Sequence, residues 1–174
     1  GQGHQFLAYQ ICGILGQPCV QVGLIRPAHL PPHRMRRARI KGHPRCHGRA
    51  NHHAVGMRGV SNFDSGFPHM RGQISNHAAT VAEVVREEGY TTFALGKWHL
   101  CPMVDASPAG PYDQWPLQRG FDRFYGFLDG ETDQFYPELV YDNHWVEPPA
   151  GPEDGYHLTE DLVDHAITFV HDSV

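Results

Sequence analysis

The first 60 residues contain no aspartate or glutamate, although they carry nine of the fourteen lysines and arginines of the chain. All nineteen acidic residues follow, beside only five basic ones, so the formal net charge of −5 hides a strong division. No apolar run approaches the ~20 residues that a membrane-spanning helix needs, so we expect no membrane partner. Four cysteines in 174 residues are too few for a disulfide scaffold. A secretory signal peptide is not expected either, because no basic residue precedes the broken apolar run at residues 6–15.

The acid-free part is a poor source of a hydrophobic core. Arginine, proline and histidine interrupt every helical or strand period between about residues 26 and 49. A short strand is expected near Val20–Ile25, and we expect the rest of residues 1–48 to be an irregular or disordered basic segment. Residues 49–174 are expected to form a partial α/β domain, since the length suits one domain or a piece of a larger one.

Local signals for helix and strand become consistent with one another from about residue 74. Thr80 and Glu83 have the spacing of a capping box, which begins a helix, and Gly89 is placed to end it. Tyr90–Leu95 is rich in the β-branched and aromatic residues typical of a buried strand. A helix, a tight turn and a strand form half of an α/β layered unit. The apolar face of this helix is predicted to consist of Val81, Val84 and Val85.

A second helix is predicted over Leu158–His171, with Thr159 as its N-cap. A short hairpin is expected over Glu138–Val146, and turns are expected at Gly130 and Asp142–Asn143. The aromatic residues between these elements, from Phe121 to Tyr136, are interpreted as core or as contact surface for further parts of a larger protein, rather than as a substrate platform. The apolar stripe of the second helix is predicted to consist of Leu162, Val163, Ala166, Ile167 and Val170.

A segment that could take part in catalysis follows the first predicted strand directly. It consists of Gly96, Lys97, Trp98 and His99. In open α/β sheets, ligands bind beyond the carboxyl ends of the strands. If the segment stays extended, Lys97 and His99 point to one side and Trp98 points to the other. A fixed cation beside a titratable imidazole suits an anionic group that undergoes acid–base chemistry. A solvated lysine and a histidine held in a loop remain the simpler alternative on spacing alone.

The eleven residues from Gly89 to His99 resemble the second signature of the sulfatase family at nearly every specified position. Asn51–Met57 and Gly120–Phe127 are similar to segments of large bacterial arylsulfatases, and the resemblance covers about residues 48–174. It implies a type I sulfatase of the alkaline-phosphatase-like α/β fold, which hydrolyses a sulfate ester to alcohol and sulfate. The resemblance also implies a formylglycine nucleophile and a divalent cation, usually Ca²⁺. Carried over by position, it implies that Lys97 contacts the sulfate ester and His99 bonds the formylglycine diol.

The part of the family pattern that carries the nucleophile is missing. The precursor of the formylglycine lies in a Cys-x-Pro-x-Arg motif, which would fall near Ala38, and no such motif occurs at residues 36–47. Cys46 lacks the proline, and Cys101 follows the wrong element. The candidate catalytic residues are therefore limited to Lys97 and His99.

The paired acidic metal ligands of the family are missing as well, because no acid precedes Asp64. No residue is therefore assigned to a metal or a cofactor. We hypothesise that the residues before about Arg49 are an out-of-frame reading of a GC-rich gene, since family-like sequence returns abruptly at Asn51. A Cys-x-Pro-x-Arg motif in another frame of the nucleotide sequence would support this hypothesis, and its absence from both other frames would contradict it.

The competing interpretation is a non-catalytic module with a basic arm that binds nucleic acid or zinc. The arginines between Arg34 and Arg49 attract phosphate, but no recognised nucleic-acid fold surrounds them, so no specific nucleic-acid partner is expected. A zinc site could use His43, Cys46, His52 and His53, although no second cysteine pair accompanies them. Solvated turn acids, rather than a Ca²⁺ site, are the interpretation of Asp129, Glu131 and Asp133.

Together these observations predict an N-terminal-region fragment of a large bacterial arylsulfatase-like protein. Its substrate would be a small-molecule sulfate ester. The fragment is expected to be truncated and inactive or weakly active, and the expected location is the bacterial cytoplasm or periplasm.

Overall fold

The computed structural model describes residues 5–11, 20–26, 73–74, 76 and 78–173. In this part of the chain, six strands form one mixed sheet whose spatial order follows the chain order. Two helices accompany the sheet, and the architecture confirms the predicted α/β class. The strands are β1 Gln5–Ile11, β2 Val20–Arg26, β3 Thr91–Lys97, β4 Arg123–Phe127, β5 Leu139–Tyr141 and β6 His144–Val146, and the helices are α1 Val81–Arg86 and α2 Leu158–Asp172.

Strand β3 is the centre of the sheet and its residues from Thr92 to Gly96 are all buried. It pairs antiparallel with β2 and parallel with β4, with Lys97 opposite Phe127. The continuous buried run is expected for a strand that is covered on both faces. Because β3 and β4 are parallel, their carboxyl ends lie side by side at one edge of the sheet.

Helix α1 begins as the sequence predicts but buries a different face. The hydroxyl of Thr80 accepts a hydrogen bond from the backbone N–H of Glu83, and the Glu83 carboxylate accepts one from the N–H of Thr80. Ala82 and Val85 are buried, whereas Val81 and Val84 are 50% and 57% exposed. The predicted valine face was therefore wrong for two of its three members, because the small Ala82 side chain contributes to the core in their place.

The buried face of helix α2 also differs in part from the predicted apolar stripe. Its N-cap is His157, whose Nδ1 accepts from the N–H of Thr159, so the predicted cap was wrong. Val163 and Ile167 are about half exposed. Leu162 is buried and Ala166 and Val170 pack against the core, as predicted. The helix also buries Leu158, Asp161 and Phe169. Asp161 turns inward because two tyrosine hydroxyls donate to its carboxylate, as described below, and residue hydrophobicity does not reveal such partners.

The predicted hairpin is present as β5 and β6, joined at Asp142, whose φ is 56°. The expected strand near Val20–Ile25 is present as β2. Strand β1, which pairs with β2 along its whole length, lies in the segment that we expected to be irregular. That expectation was wrong for β1 because the apolar stretch at residues 6–11 precedes the arginine- and proline-rich part.

Buried side chains cover both faces of the sheet. On the α1 face, Ala82 and Val85 pack in one cluster with Ala94, Trp98 and Phe124. On the α2 face, the second cluster is formed by Ile25, Phe93, Leu95, Tyr125, Phe127, Leu139, Leu158, Leu162 and Phe169. The aromatic residues of β4 therefore belong to the core, as predicted. The prediction was wrong for Phe135 and Tyr136, which are 48% and 71% exposed. No helix among the described residues has the length and apolar character needed to cross a membrane.

Candidate active site

Lys97 is the last residue of β3 and is half-buried. The preceding Gly96 has a φ of 88°, so the regular alternation of side chains along β3 does not extend to Lys97. Gly96 and Gly126 lie opposite each other in β3 and β4, and a Cβ on Gly126 would come within 2.0 Å of the Gly96 carbonyl oxygen. Glycine at position 126 therefore allows the two strands to stay paired up to the lysine.

Trp98 anchors the segment between the two candidate residues. Its side chain is 4% exposed, and its indole N–H donates to the backbone carbonyl of Gln114 at 2.8 Å. Its ring meets Phe121 edge-on, with centroids 5.8 Å apart. The backbone N–H of Trp98 donates to the Phe127 carbonyl at 2.9 Å. These contacts confirm that Trp98 turns into the core, and they tie the end of β3 to the end of β4.

His99 does not continue the extended conformation of the strand. Its backbone N–H donates to the Leu128 carbonyl at 3.0 Å, but its φ is 49°. Positive φ costs energy for a residue with a Cβ and is concentrated at functional sites. The condition of an extended segment is therefore not met at His99, and the alternation that would place Lys97 and His99 on one side does not apply there. The structure instead places His99 in the loop immediately beyond β3, where it is half-buried.

The loop that follows β4 supplies a residue that sequence reasoning did not assign to the site. Gly130 lies against the imidazole of His99. A Cβ placed on Gly130 would be 2.9 Å from Cε1 of His99 and 3.2 Å from both ring nitrogens. The sequence alone gave no signal for this contact, because the two residues come from loops after different strands.

Cys101, the cysteine within the part of the chain that the structure describes, does not suit nucleophilic catalysis. Cys101 is 2% exposed, and burial raises the pKa of its thiol to about 12, with further contributions from the nearby charges of Asp105 and Asp129. Only the thiolate is an effective nucleophile, so this side chain is unreactive near neutral pH. The structure thus agrees with the sequence argument that Cys101 is not the missing nucleophile.

No group of three or more histidine, cysteine, aspartate or glutamate residues within the described ranges is placed to hold a metal ion. Asp129, Glu131 and Asp133 are exposed, as predicted for turn acids. Asp133 accepts hydrogen bonds from the backbone N–H groups of Phe135 and Tyr136, which lower its pKa. The Ca²⁺ implied by the resemblance therefore has no fitting ligand set in this part of the chain.

A buried polar network lies on the α2 face. The Asp161 carboxylate accepts hydrogen bonds from the hydroxyls of Tyr125 and Tyr156, at 2.6 and 2.9 Å, and lies 3.1 Å from Nδ1 of His165. The His165 ring stacks on Tyr125 with centroids 3.5 Å apart. These groups connect α2 to the core of the sheet.

Two concave regions border the described elements. A polar depression of about 550 Å³ is lined by residues that include Asn76, Glu83, Asp113 and Arg119, but by neither Lys97 nor His99. A cavity of about 50 Å³ lies under the loop after β4 and is lined by residues that include Phe127, Leu128, Asp129 and Trp145. The loop that carries Gly130 therefore borders a small void.

Several predicted features lie outside the described residues. They include the basic stretch Arg34–Arg49, the empty nucleophile region at residues 36–47 and the family-like segment Asn51–Met57. The proposed zinc ligands His43, Cys46, His52 and His53 also lie there.

Comparison with known proteins gives consistent matches. A sequence model of the sulfatase family matches residues 47–173. The chain is 32% identical over 111 residues to an uncharacterized sulfatase of Schizosaccharomyces pombe, covering 63% of this chain and 18% of that protein. It is 32% identical over 112 residues to an arylsulfatase of Klebsiella aerogenes, covering 63% of this chain and 20% of the relative. It is also 35% identical over 88 residues to human arylsulfatase A, covering 51% of this chain and 15% of the relative. The chain thus spans a fifth or less of the length of these relatives.

Proposed function

Because this chain belongs to the sulfatase family, we propose that it is part of a sulfuric ester hydrolase of the arylsulfatase type. Its substrate would be a small-molecule sulfate ester. The observation that carries the proposal is the placement of Lys97 at the end of β3 and of His99 directly beyond it, where the carboxyl ends of two parallel strands meet. Ligand sites of open α/β sheets form at such an edge.

The two side chains have separate tasks in the proposed reaction. The ammonium group of Lys97 stabilises the negative charge on the oxygens of the sulfuryl group as sulfur is attacked. The imidazole of His99 holds the hydroxyl proton of the nucleophile and can accept or return it. The anchored Trp98 between them limits the motion of both backbone positions, which preserves their arrangement.

In the family, a formylglycine supplies the nucleophile and a divalent cation stabilises its charge. Neither group has fitting residues in the described part of this chain, where Cys101 is the free cysteine and is buried. We therefore propose that this polypeptide by itself has little or no sulfatase activity. Detection of a formylglycine by mass spectrometry, or aryl-sulfate turnover that Lys97→Ala abolishes, would contradict this.

The anion-binding part of the proposal does not require turnover. Inorganic sulfate should shift the NMR signals of Lys97 and His99 in the full chain, and Lys97→Ala should weaken the apparent affinity about tenfold, which equals ~1.4 kcal/mol. Arg86→Ala is the control, because it removes an exposed cation of α1 that pairs with Asp122 at 3.3 Å. If both variants weaken binding equally, sulfate is attracted only by general charge and the proposed roles are wrong.

A further inference from the structure

We propose that Gly130 is a positioning residue for His99, a role that rests on the proposed function of that histidine. Its missing side chain makes the space that the imidazole occupies. Through this contact the loop after β4 fixes the orientation of a side chain carried by the loop after β3.

The first step of the argument is the contact itself. A Cβ on Gly130 would lie 2.9 Å from Cε1, nearer than Cβ atoms approach other heavy atoms, and 3.2 Å from Nδ1 and Nε2. The nearly equal distances place the added Cβ over the face of the ring at Cε1, because an approach in the ring plane would leave both nitrogens much farther away. A methyl group there would press on the ring at Cε1, the atom that joins the two nitrogens.

The second step is that the backbone at Gly130 does not require glycine. Several glycines of the chain, including Gly89 and Gly96, have positive φ and so adopt a conformation that L side chains avoid. Gly130 does not belong to this set. Its turn could accommodate alanine, and the obstacle to a side chain is the His99 ring.

The third step is that the backbone of His99 is held in place and cannot easily move away from Gly130. The N–H of His99 is bonded to the Leu128 carbonyl at 3.0 Å, and the preceding Trp98 is buried and bonded to Gln114. The clash between an added methyl group at position 130 and the ring would therefore be relieved mainly by rotation of the imidazole. Such a rotation moves the nitrogens without unfolding the loop.

A double-mutant cycle on the full chain tests the contact. Gly130→Ala should lower the melting temperature of the wild-type protein but not that of His99→Ala, where the ring is absent. Gly151→Ala is the control, because Gly151 has φ −87° and the atoms nearest to its added Cβ belong to the carboxyl group of Glu153, an exposed side chain that can move aside. Equal shifts from Gly130→Ala in both backgrounds would overturn the proposal.

The positioning role is tested by sulfate binding, followed by NMR. Gly130→Ala should shift the ring signals of His99 and raise the apparent Kd for inorganic sulfate about tenfold, since small misplacements of a ligand-binding group are costly. Gly151→Ala should leave the Kd within about twofold. Unchanged sulfate affinity in Gly130→Ala, in a protein whose wild type binds sulfate, would overturn the positioning role. If sulfate leaves the wild-type signals of Lys97 and His99 unchanged, the proposed function fails, and the melting cycle still decides whether the contact exists.

Discussion

The indole N–H of Trp98 donates a 2.8 Å hydrogen bond to the backbone carbonyl of Gln114, sixteen residues further along the chain. This bond holds the residue that separates Lys97 from His99. It is made inside the core, because Trp98 is almost fully buried. The candidate site is therefore supported by the core cluster on the α1 face of the sheet.

Trp98→Phe should reduce the free energy of unfolding by about 2–4 kcal/mol. The change removes the donor, leaves the Gln114 carbonyl buried without it, and opens a cavity. Denaturation by urea measures the effect. Trp145→Phe is the control, because the indole N–H of Trp145 is buried without a hydrogen-bond partner among the described residues, so its loss should be smaller. Equal losses would mean that the bond to Gln114 contributes nothing.

Gly126→Ala should disturb the pairing of β3 and β4. The added Cβ would meet the carbonyl oxygen, nitrogen and carbonyl carbon of Gly96 at 2.0 to 2.7 Å, and backbone atoms in a paired strand cannot move aside. We expect a loss of about 3 kcal/mol or more in the free energy of unfolding, or failure to fold. Circular dichroism and urea denaturation measure the outcome, with Gly151→Ala as the reference. Normal stability would show that the strands can separate at this point.

Cys101 should resist alkylation in the folded protein. Burial and the neighbouring Asp105 and Asp129 raise its pKa to about 12, so the thiolate is a very small fraction near pH 8. Modification by iodoacetamide, followed at the Cys101 peptide by mass spectrometry, should be at least ~100-fold slower than in denaturant. The same peptide should contain unmodified cysteine and no formylglycine. Alkylation at the denatured rate would contradict the burial.

The pair formed by Asp161 and His165 should make stability depend on pH. Burial raises the pKa of the Asp161 carboxyl, but hydrogen bonds from His165, Tyr125 and Tyr156 outweigh this and lower it. Burial also lowers the pKa of His165, but its hydrogen bonds and charge interaction with Asp161 outweigh this and raise it. The stabilisation by Asp161 is present above its unfolded pKa of about 4 and is lost as pH falls through the folded value. The stabilisation by His165 is complete below about pH 6.5 and is lost as pH rises through its raised folded value.

His165→Gln should therefore cost most stability between about pH 4 and 6.5, by roughly 1–3 kcal/mol, and less at pH 8.5. Urea denaturation of the wild type and the variant across this range gives the difference in their free energies of unfolding. The other histidines are common to both proteins, so their contributions cancel in this difference. His171→Gln, an exposed change on the same helix, is the control. A difference that is constant with pH would refute the charged pair.

Much of the local structure could be predicted because it depends on neighbouring residues. The capping box of Thr80 and Glu83 satisfies backbone groups within one helical turn, and Asp142–Asn143 is a pair of turn-forming residues. The strand before Lys97 follows from a continuous apolar run. The identity of Lys97 and His99 as candidates came from a short contiguous motif, and the match of the sulfatase family model to residues 47–173 supports that family.

The sequence by itself therefore determined the family, the α/β class and the two candidate residues, since these are written in contiguous motifs and local hydrogen bonds. Only the tertiary structure decided which faces of α1 and α2 are buried. Ala82 and Asp161 are buried because they contact residues of strands that are distant in the sequence. The tertiary structure also decided the left-handed backbone of His99 and the contact with Gly130. The contact arises because β3 and β4 are parallel and end together, which brings loops about thirty residues apart in the chain together.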